Sequence, residues 1–180
     1  MNVLTIDCDW AKTHEKFLQL IRLSLDKYST ADELIFIREH HQAYPFIQKG
    51  DVLYNIDHHH DLGYENNHLT IEKQGVYGPA NWVYALIYQK IISEYHWIAN
   101  IDSDYYFLDI ENKMNGVKAF TRELTLDKIH PLSFKKIIIC ESRRYEKSAA
   151  ITFDVLKALA KNHKNVKTVD SMNSTTPIHV

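Results

Sequence analysis

Five consecutive side chains that can bind metal follow an apolar segment near the middle of the chain. Residues 51–61 read DVLYNIDHHHD, and the last five are Asp57, His58, His59, His60 and Asp61. Side chains alternate along an extended backbone, so residues 57, 59 and 61 are expected on one side and residues 58 and 60 on the other. Carboxylate and imidazole ligands in this order suit an octahedral ion such as Mn²⁺ better than a thiolate zinc site. A polar strand end with solvated histidines is the simpler alternative.

Two further segments carry a pair of aspartates separated by one residue. Asp7 and Asp9 follow the apolar run NVLTID, and Asp102 and Asp104 follow HWIANI. At this spacing both carboxylates of a pair face the same way in an extended chain. Asp7 and Asp9 either line a pocket and meet a cationic or backbone group of a substrate, or anchor a neighbouring ligand.

Histidines and a glutamate follow two more apolar runs. Residues 34–37, LIFI, lead directly into Arg38, Glu39, His40 and His41. Residues 135–140, KKIIIC, lead into Glu141. Each group of ionisable side chains therefore follows a segment that is typical of a buried strand.

Strands and helices are expected to alternate along the chain. We predict strands at 2–7, 34–37, 52–56, 96–101, 117–124 and 135–140, and helices at 13–28, 80–95 and 145–161. Thr13 is the expected cap of the first helix. The polar residues from about 165 onward are expected to fray or to form a short edge piece.

This alternation predicts the α/β class, with a mainly parallel sheet inside a three-layer α/β/α sandwich. The carboxyl ends of parallel strands meet at one edge, and ligands bind there in open α/β sheets. Since every acidic or histidine group follows a predicted strand, we expect these groups to converge.

Composition limits the functional classes. The 180 residues fit one domain, and 45% hydrophobic with 24% charged residues is ordinary for a globular protein. A net charge of −2 favours neither nucleic acid nor a membrane surface as a partner. Two cysteines are too few for a disulfide framework, and the first residues do not resemble a signal peptide, so we expect a cytoplasmic protein. A homo-oligomer is compatible with the sequence.

The predicted edge has enough ligands for two divalent ions that share carboxylates. Paired ions activate water at neutral pH and polarise the group under attack, so hydrolysis is the expected reaction. Glu141 stands apart from the other acids and could hold a cationic substrate.

The order of these motifs resembles the arginase and deacetylase superfamily. The chain is most similar to its short branch that includes peptide arginases, which convert arginine in a precursor peptide to ornithine. The resemblance rests on REHHQAYPFI, YNIDHHHDLG, GPANWV, IDSD and IIICE, spread over residues 38–141. It implies a compact arginase-like fold, two Mn²⁺ ions and an arginine-containing precursor peptide as partner, with ornithine and urea as products.

The resemblance also implies an assignment of ligands. One ion would be bound by Asp57, Asp61, Asp102 and a histidine of residues 39–41, with His40 preferred and His41 as the alternative. The other ion would be bound by Asp57, His59, Asp102 and Asp104. Glu141 would bind the substrate guanidinium, and His68 would correspond to the proton-shuttle histidine.

The chain departs from the arginase pattern in one respect that affects the substrate. The asparagine and serine that bind free arginine in the family are not evident after Asp61, which favours arginine within a peptide. A phosphoesterase of the D-H-H type is an alternative, because Asp57-His58-His59 contains that triplet and Asp7-Cys8-Asp9 resembles its early D-x-D. A binding module that retains the fold without turnover is the third hypothesis.

Overall fold

The computed structural model describes residues 1–63, 76–100, 103, 116–120, 126–142, 147–170 and 176–177. Helices α1 to α4 span His14–Tyr28, Trp82–Tyr88, Leu126–Ile129 and Lys147–Leu159. Strands β1 to β9 span Asn2–Asp7, Glu33–Ile37, Asp51–Ile56, Val76–Tyr77, Ile92–Ile98, Lys118–Phe120, Lys136–Cys140, Val166–Val169 and Thr176–Pro177. Short 3-10 segments span Cys8–Trp10, His40–Phe46 and Ala160–Asn162.

Seven of the described strands form one sheet in the order β6-β5-β3-β1-β7-β2-β8. Every neighbouring pair in this sheet is parallel. Strand β1 is central, with β3 on one side and β7 on the other. Consequently the carboxyl ends of β1, β2, β3 and β7 lie on the same edge of the sheet.

Apolar side chains alternate between the two faces of this sheet. In β2, Leu34 and Phe36 join the core that includes Leu20 of α1 and Phe153 of α4. Ile35 and Ile37 join a second core on the opposite face. The second core includes the α2 residues Val83 and Leu86. The predicted α/β class and its three layers are therefore confirmed.

The elements around the central strands agree with the sequence-based expectation. Helix α1 begins after Thr13, whose side chain accepts a hydrogen bond from the Lys16 backbone N–H at 3.2 Å. This contact satisfies one of the free N–H groups of the first turn. Strands β1, β2, β3 and β7 lie within one residue of their predicted bounds.

The helix predicted over 80–95 is much shorter in the structure. Helix α2 ends at Tyr88, and Lys90 has a left-handed backbone with φ of 54°. The chain then turns into β5, which pairs with β3. Buried residues such as Tyr95 fit either the helical stripe or an alternating strand, and pairing along β3 selects the strand. As a result β5 begins before residue 96 and ends at Ile98, not at 101 as predicted.

The remaining segments are edge elements. Strand β8 pairs with the outer side of β2, so the part of the tail at 166–169 is an edge strand. Within the strand expected over 117–124, the structure has β6 at Lys118–Phe120, and residues 121–124 lie outside the described residues. Across the described ranges, no helix combines the length and the apolar composition that a membrane span requires.

Candidate metal centre

Two acidic side chains lie at the end of the central strand. Asp7 is the last residue of β1, and the chain then turns through the 3-10 segment Cys8–Trp10. The Asp9 backbone N–H donates to the Asp7 carboxylate at 3.1 Å, which closes this turn. Both side chains are buried, with 3% and 1% of the residue exposed. The turn therefore buries two carboxylates at the carboxyl end of β1.

The histidine-rich segment follows β3 but does not continue it. The strand ends at Ile56, and the Asp57 carboxylate accepts a hydrogen bond from the His59 backbone N–H at 2.9 Å. Asp61 has a left-handed backbone with φ of 53°, a conformation that aspartate tolerates better than most residues. The predicted strict alternation over 57–61 is therefore wrong, because the chain curls at the edge of the sheet. Even so, Asp57, His59 and Asp61 all contact neighbouring ligand candidates.

His40 lies at the centre of the first cluster, the inner group, which consists of Asp7, His40, Asp57 and Asp61. Its Nδ1 atom lies 3.2, 3.0 and 2.9 Å from carboxylate oxygens of Asp7, Asp57 and Asp61, respectively. An imidazole nitrogen can donate only one hydrogen bond, and none of these three contacts meets hydrogen-bond geometry. In an octahedral site with bonds of about 2.1 Å, adjacent ligand atoms lie about 3.0 Å apart. The three distances from His40 Nδ1 to the carboxylate oxygens match the edge length of such a site.

A second cluster, the outer group, consists of Asp9, Asp57 and His59. Its ligand atoms lie within 4.8 Å of one another, as do those of Asp7, His40 and Asp57. His59 Nδ1 lies 3.4 Å from Asp9 Oδ2 and 3.8 Å from Asp57 Oδ1. Asp57 thus belongs to both groups and presents a different oxygen to each. These buried Asp and His side chains can hold a metal ion.

Burial and the close approach of charges shift the pKa values of the side chains in the two groups. Burial, followed by the neighbouring Asp7 carboxylate, raises the pKa of Asp9 to about 7. Burial acts to raise the pKa of Asp57 as well, but contacts with His40 and His59 outweigh it and hold that pKa below its usual value. Contacts with Asp57 and Asp9 raise the pKa of His59 to about 10. The carboxylates therefore require positive charge, which either protons or a divalent cation can supply.

Three side chains that the sequence does not identify as neighbours of the candidate ligands donate hydrogen bonds to them. The Trp82 indole N–H donates to the Asp61 carboxylate at 2.5 Å, and the Ser142 hydroxyl donates to the Asp7 carboxylate. The Trp97 indole N–H donates to the Asp57 backbone carbonyl at 3.0 Å. These contacts join residues 21 to 135 positions apart, so local sequence patterns give no signal for them.

The structure distinguishes between the two histidines that follow β2. His40 faces the carboxylates, whereas the buried His41 ring packs near Tyr77, with ring centres 6.4 Å apart. His60 accepts a hydrogen bond from the Leu62 backbone N–H and packs against Trp97. His58 packs edge-on against the His59 ring. His58 and His60, which are expected on the other side of the segment, belong to neither ligand group among the described residues.

The remaining predicted site residues fall into two cases. Asp102, Asp104 and His68 lie outside the described residues. Glu141 is buried at the end of β7, where its carboxylate accepts a hydrogen bond from the Arg38 guanidinium. Arg38 also lies 3.6 Å from Asp170. Glu141 therefore already binds a guanidinium, and its predicted role toward a substrate stays a prediction.

We expect the thermal stability of the metal-free protein to fall between about pH 5 and pH 9. The folded pKa is about 7 for Asp9 and about 10 for His59, against ordinary values of 3.8 and 6.5. The Asp9 and His59 side chains hold their protons more tightly in the folded chain than in the unfolded chain. Their contribution to stability is therefore complete below the pKa of the unfolded chain. It is lost as the pH rises through the folded pKa.

Thermal melts with Mn²⁺ or with a chelator, at about pH 5.5, 7 and 8.5, measure this effect. The increase in melting temperature on adding Mn²⁺ should grow with pH, because the ion replaces protons. The Asp9→Asn variant should show a shallower pH dependence without metal. A melting temperature of the metal-free chain that stays constant over this range would contradict the charge argument.

Comparisons with known proteins add no assignment. No protein-family model matches the chain, and neither a curated protein nor a solved structure matches it. Function is therefore inferred from the fold and from the two ligand groups.

Proposed function

We propose that this chain is a manganese-dependent hydrolase with two adjacent ions, which converts arginine in a precursor peptide to ornithine and urea. The observation that supports this most is that Asp57 belongs to both ligand groups. A carboxylate shared between two ions is typical of hydrolytic sites in which the ions lie about 3.5–4 Å apart. The inner and outer groups would each hold one ion.

The ligand assignment differs from the one that the order of motifs implies. The resemblance implies one D-x-D motif. Its first carboxylate would bind both ions, and its second would bind the same ion as the histidine of D-x-H-x-D. Asp7 lies 3.2 Å from His40, and Asp9 lies 3.4 Å from His59. Asp9 fits the second role, whereas Asp7 belongs to the inner group alone and Asp57 is the residue common to both groups. We therefore assign Asp7 and Asp9 as the D-x-D ligands, one in each group. The assignment of Asp102 and Asp104 stays an alternative prediction.

The donor atoms favour a hard divalent ion. Both groups consist of carboxylate oxygens and imidazole nitrogens, and neither includes a thiol among the residues that the structure describes. Cys8 and Cys140 are buried, and burial raises the pKa of each thiol, which disfavours the thiolate that zinc sites use. Manganese fits this donor set. When bound, such ions would activate water and polarise the guanidinium group.

The residues of the chain itself would position the substrate. Glu141 binds the Arg38 guanidinium in the structure, so this buried carboxylate has the chemistry that an arginine substrate needs. The His59 side chain is 31% exposed, whereas those of Asp57 and Asp9 are nearly inaccessible. A substrate would therefore approach from the side of His59. The substrate guanidinium would compete with Arg38 for Glu141.

Mass spectrometry of an arginine-containing peptide provides the test. Incubation with the protein and Mn²⁺ should remove CH₂N₂ from each converted arginine, and urea should appear in equal amount. The cognate precursor peptide is the preferred substrate, and free arginine should react far more slowly. Release of urea from free arginine at the same rate would contradict the peptide assignment, and an absence of any mass change on the cognate peptide would refute the arginase reaction.

A phosphoesterase of the D-H-H type is the second candidate, because Asp7 and Asp9 lie beside Asp57 in space. His58, the middle residue of the triplet, belongs to neither ligand group in the described part of the chain. Phosphodiester hydrolysis with Mn²⁺ that is lost in Asp7→Ala would favour this reaction over the arginase reaction. Metal binding without turnover of either substrate would favour a non-catalytic module.

A further inference from the structure

The two ligand groups differ in how deeply they are buried. Each residue of the inner group is at most 4% exposed, and three of its four members are carboxylates. The outer group has one partly exposed member, His59, whose side chain is 31% accessible. The affinity of carboxylate sites for divalent ions increases with the number of charged ligands and with the rigidity of the site. The larger number of carboxylates therefore favours tighter binding of a divalent ion by the inner group.

A fully buried tryptophan contacts two members of the inner group. The Trp82 indole N–H donates to Asp61 Oδ2 at 2.5 Å. The Trp82 ring also packs against His40, with ring centres 4.9 Å apart and planes tilted by 45°. An indole N–H can only donate, so a carboxylate in its ionised form is its natural buried partner. This hydrogen bond favours the form of Asp61 that binds metal.

Helix α2 holds the same aspartate through its backbone. The Val83 and Tyr84 N–H groups lie 3.2 and 3.4 Å from the Asp61 carbonyl oxygen. These contacts satisfy two N–H groups of the first helical turn and secure the left-handed backbone of Asp61. Trp82 itself is anchored in the apolar core together with Leu62 and Leu86. Asp61 is thereby fixed at both its main chain and its side chain.

We infer that Trp82 is a positioning residue that fixes Asp61 and His40, and that it makes the inner group the tighter of two unequal metal sites. The inference rests on the proposed function only in assuming that both groups bind metal. Replacement of a side chain that holds a metal ligand by a hydrogen bond typically lowers metal affinity by about 10–100-fold. The inner ion is therefore retained during purification, and the outer ion exchanges with solvent.

Titration of the chelator-treated full chain with Mn²⁺ tests this inference. Calorimetry of the unmodified chain should resolve two binding events that differ in affinity by at least about 10-fold. In Trp82→Phe, which keeps an aromatic ring in the core, the tighter event should weaken by about 10–100-fold, and the weaker event should change by less than about 3-fold. The absorption spectrum of the first Co²⁺ bound should shift in the same variant.

Tyr44→Phe is the matched control. The Tyr44 hydroxyl donates to Gln89 at the other end of α2, and its ring packs against the same apolar core. This variant loses one hydrogen bond near α2 without touching a ligand, so both binding events should be preserved.

Two outcomes would overturn the inference while the proposed function stands: two events of equal affinity in the unmodified chain, or equal weakening of both events in Trp82→Phe. A structural defect alone would produce the second outcome. Absence of Mn²⁺ binding by the unmodified chain would overturn the inference and the proposed function together.

Discussion

Replacing Asp57 with asparagine is expected to abolish hydrolysis and to remove metal from both ligand groups. Asp57 is 1% exposed and presents one oxygen toward His40 and the other toward His59. Loss of its charge removes the shared ligand, so neither ion should bind stoichiometrically. Because the paired ions of a hydrolytic site contribute several kcal/mol of transition-state stabilisation, the rate of the proposed reaction should fall by about 10³-fold or more.

Asp51→Asn provides a matched control for this variant. Asp51 is the first residue of the same strand, is 2% exposed, and pairs with the N-terminal amine at 3.1 Å. It lies at the opposite end of β3 from the ligands. Its substitution should lower stability without loss of metal. Plasma mass spectrometry of dialysed protein measures the metal content, and retention of both ions by Asp57→Asn would contradict the shared-ligand assignment.

The second large effect concerns which aspartate pair binds metal. Asp7→Asn should lower metal affinity and the proposed activity by about 10–100-fold, because a buried carboxylate beside His40 would be lost. Asp9→Asn should weaken the outer ion selectively, since Asp9 accompanies His59. Asp102→Asn and Asp104→Asn should have much smaller effects.

Metal analysis and peptide turnover of the four single variants test this assignment side by side. The opposite pattern, with full metal content in Asp7→Asn and Asp9→Asn and loss in the variants of Asp102 and Asp104, would contradict it. That result would favour the ligand order that the resemblance implies along the chain.

The fold was predictable where the sequence pattern has a single interpretation. Strands β2 and β7 each contain four consecutive apolar residues after a charged first residue, a run that a short buried strand explains well. The α1 helix has both an apolar stripe and Thr13 as its cap. The end of α2 was mispredicted because buried positions up to Tyr95 fit two periodicities. Its true end depends on the pairing of β5 with β3, which is a tertiary contact.

The candidate site was predictable only in part for a related reason. Groups of ionisable residues at strand ends indicate an edge of the sheet, and His40, the preferred histidine, lies beside the carboxylates. Its role as a metal ligand stays a prediction. Sequence alone does not show how close each acidic pair lies to the sheet. Asp7 is the last residue of β1, whereas Asp102 comes four residues after the end of β5. The contact between Trp82 and Asp61 arises from packing of α2 on the sheet, which no local motif encodes.

Anomalous diffraction from a crystal grown with Mn²⁺ tests the central claim most directly. Two peaks are expected, both within about 2.0–2.6 Å of carboxylate oxygens of Asp57. One peak should also contact His40 and Asp61, and the other should contact His59 and Asp9. A single peak, or peaks remote from Asp57, would contradict the proposed two-ion centre.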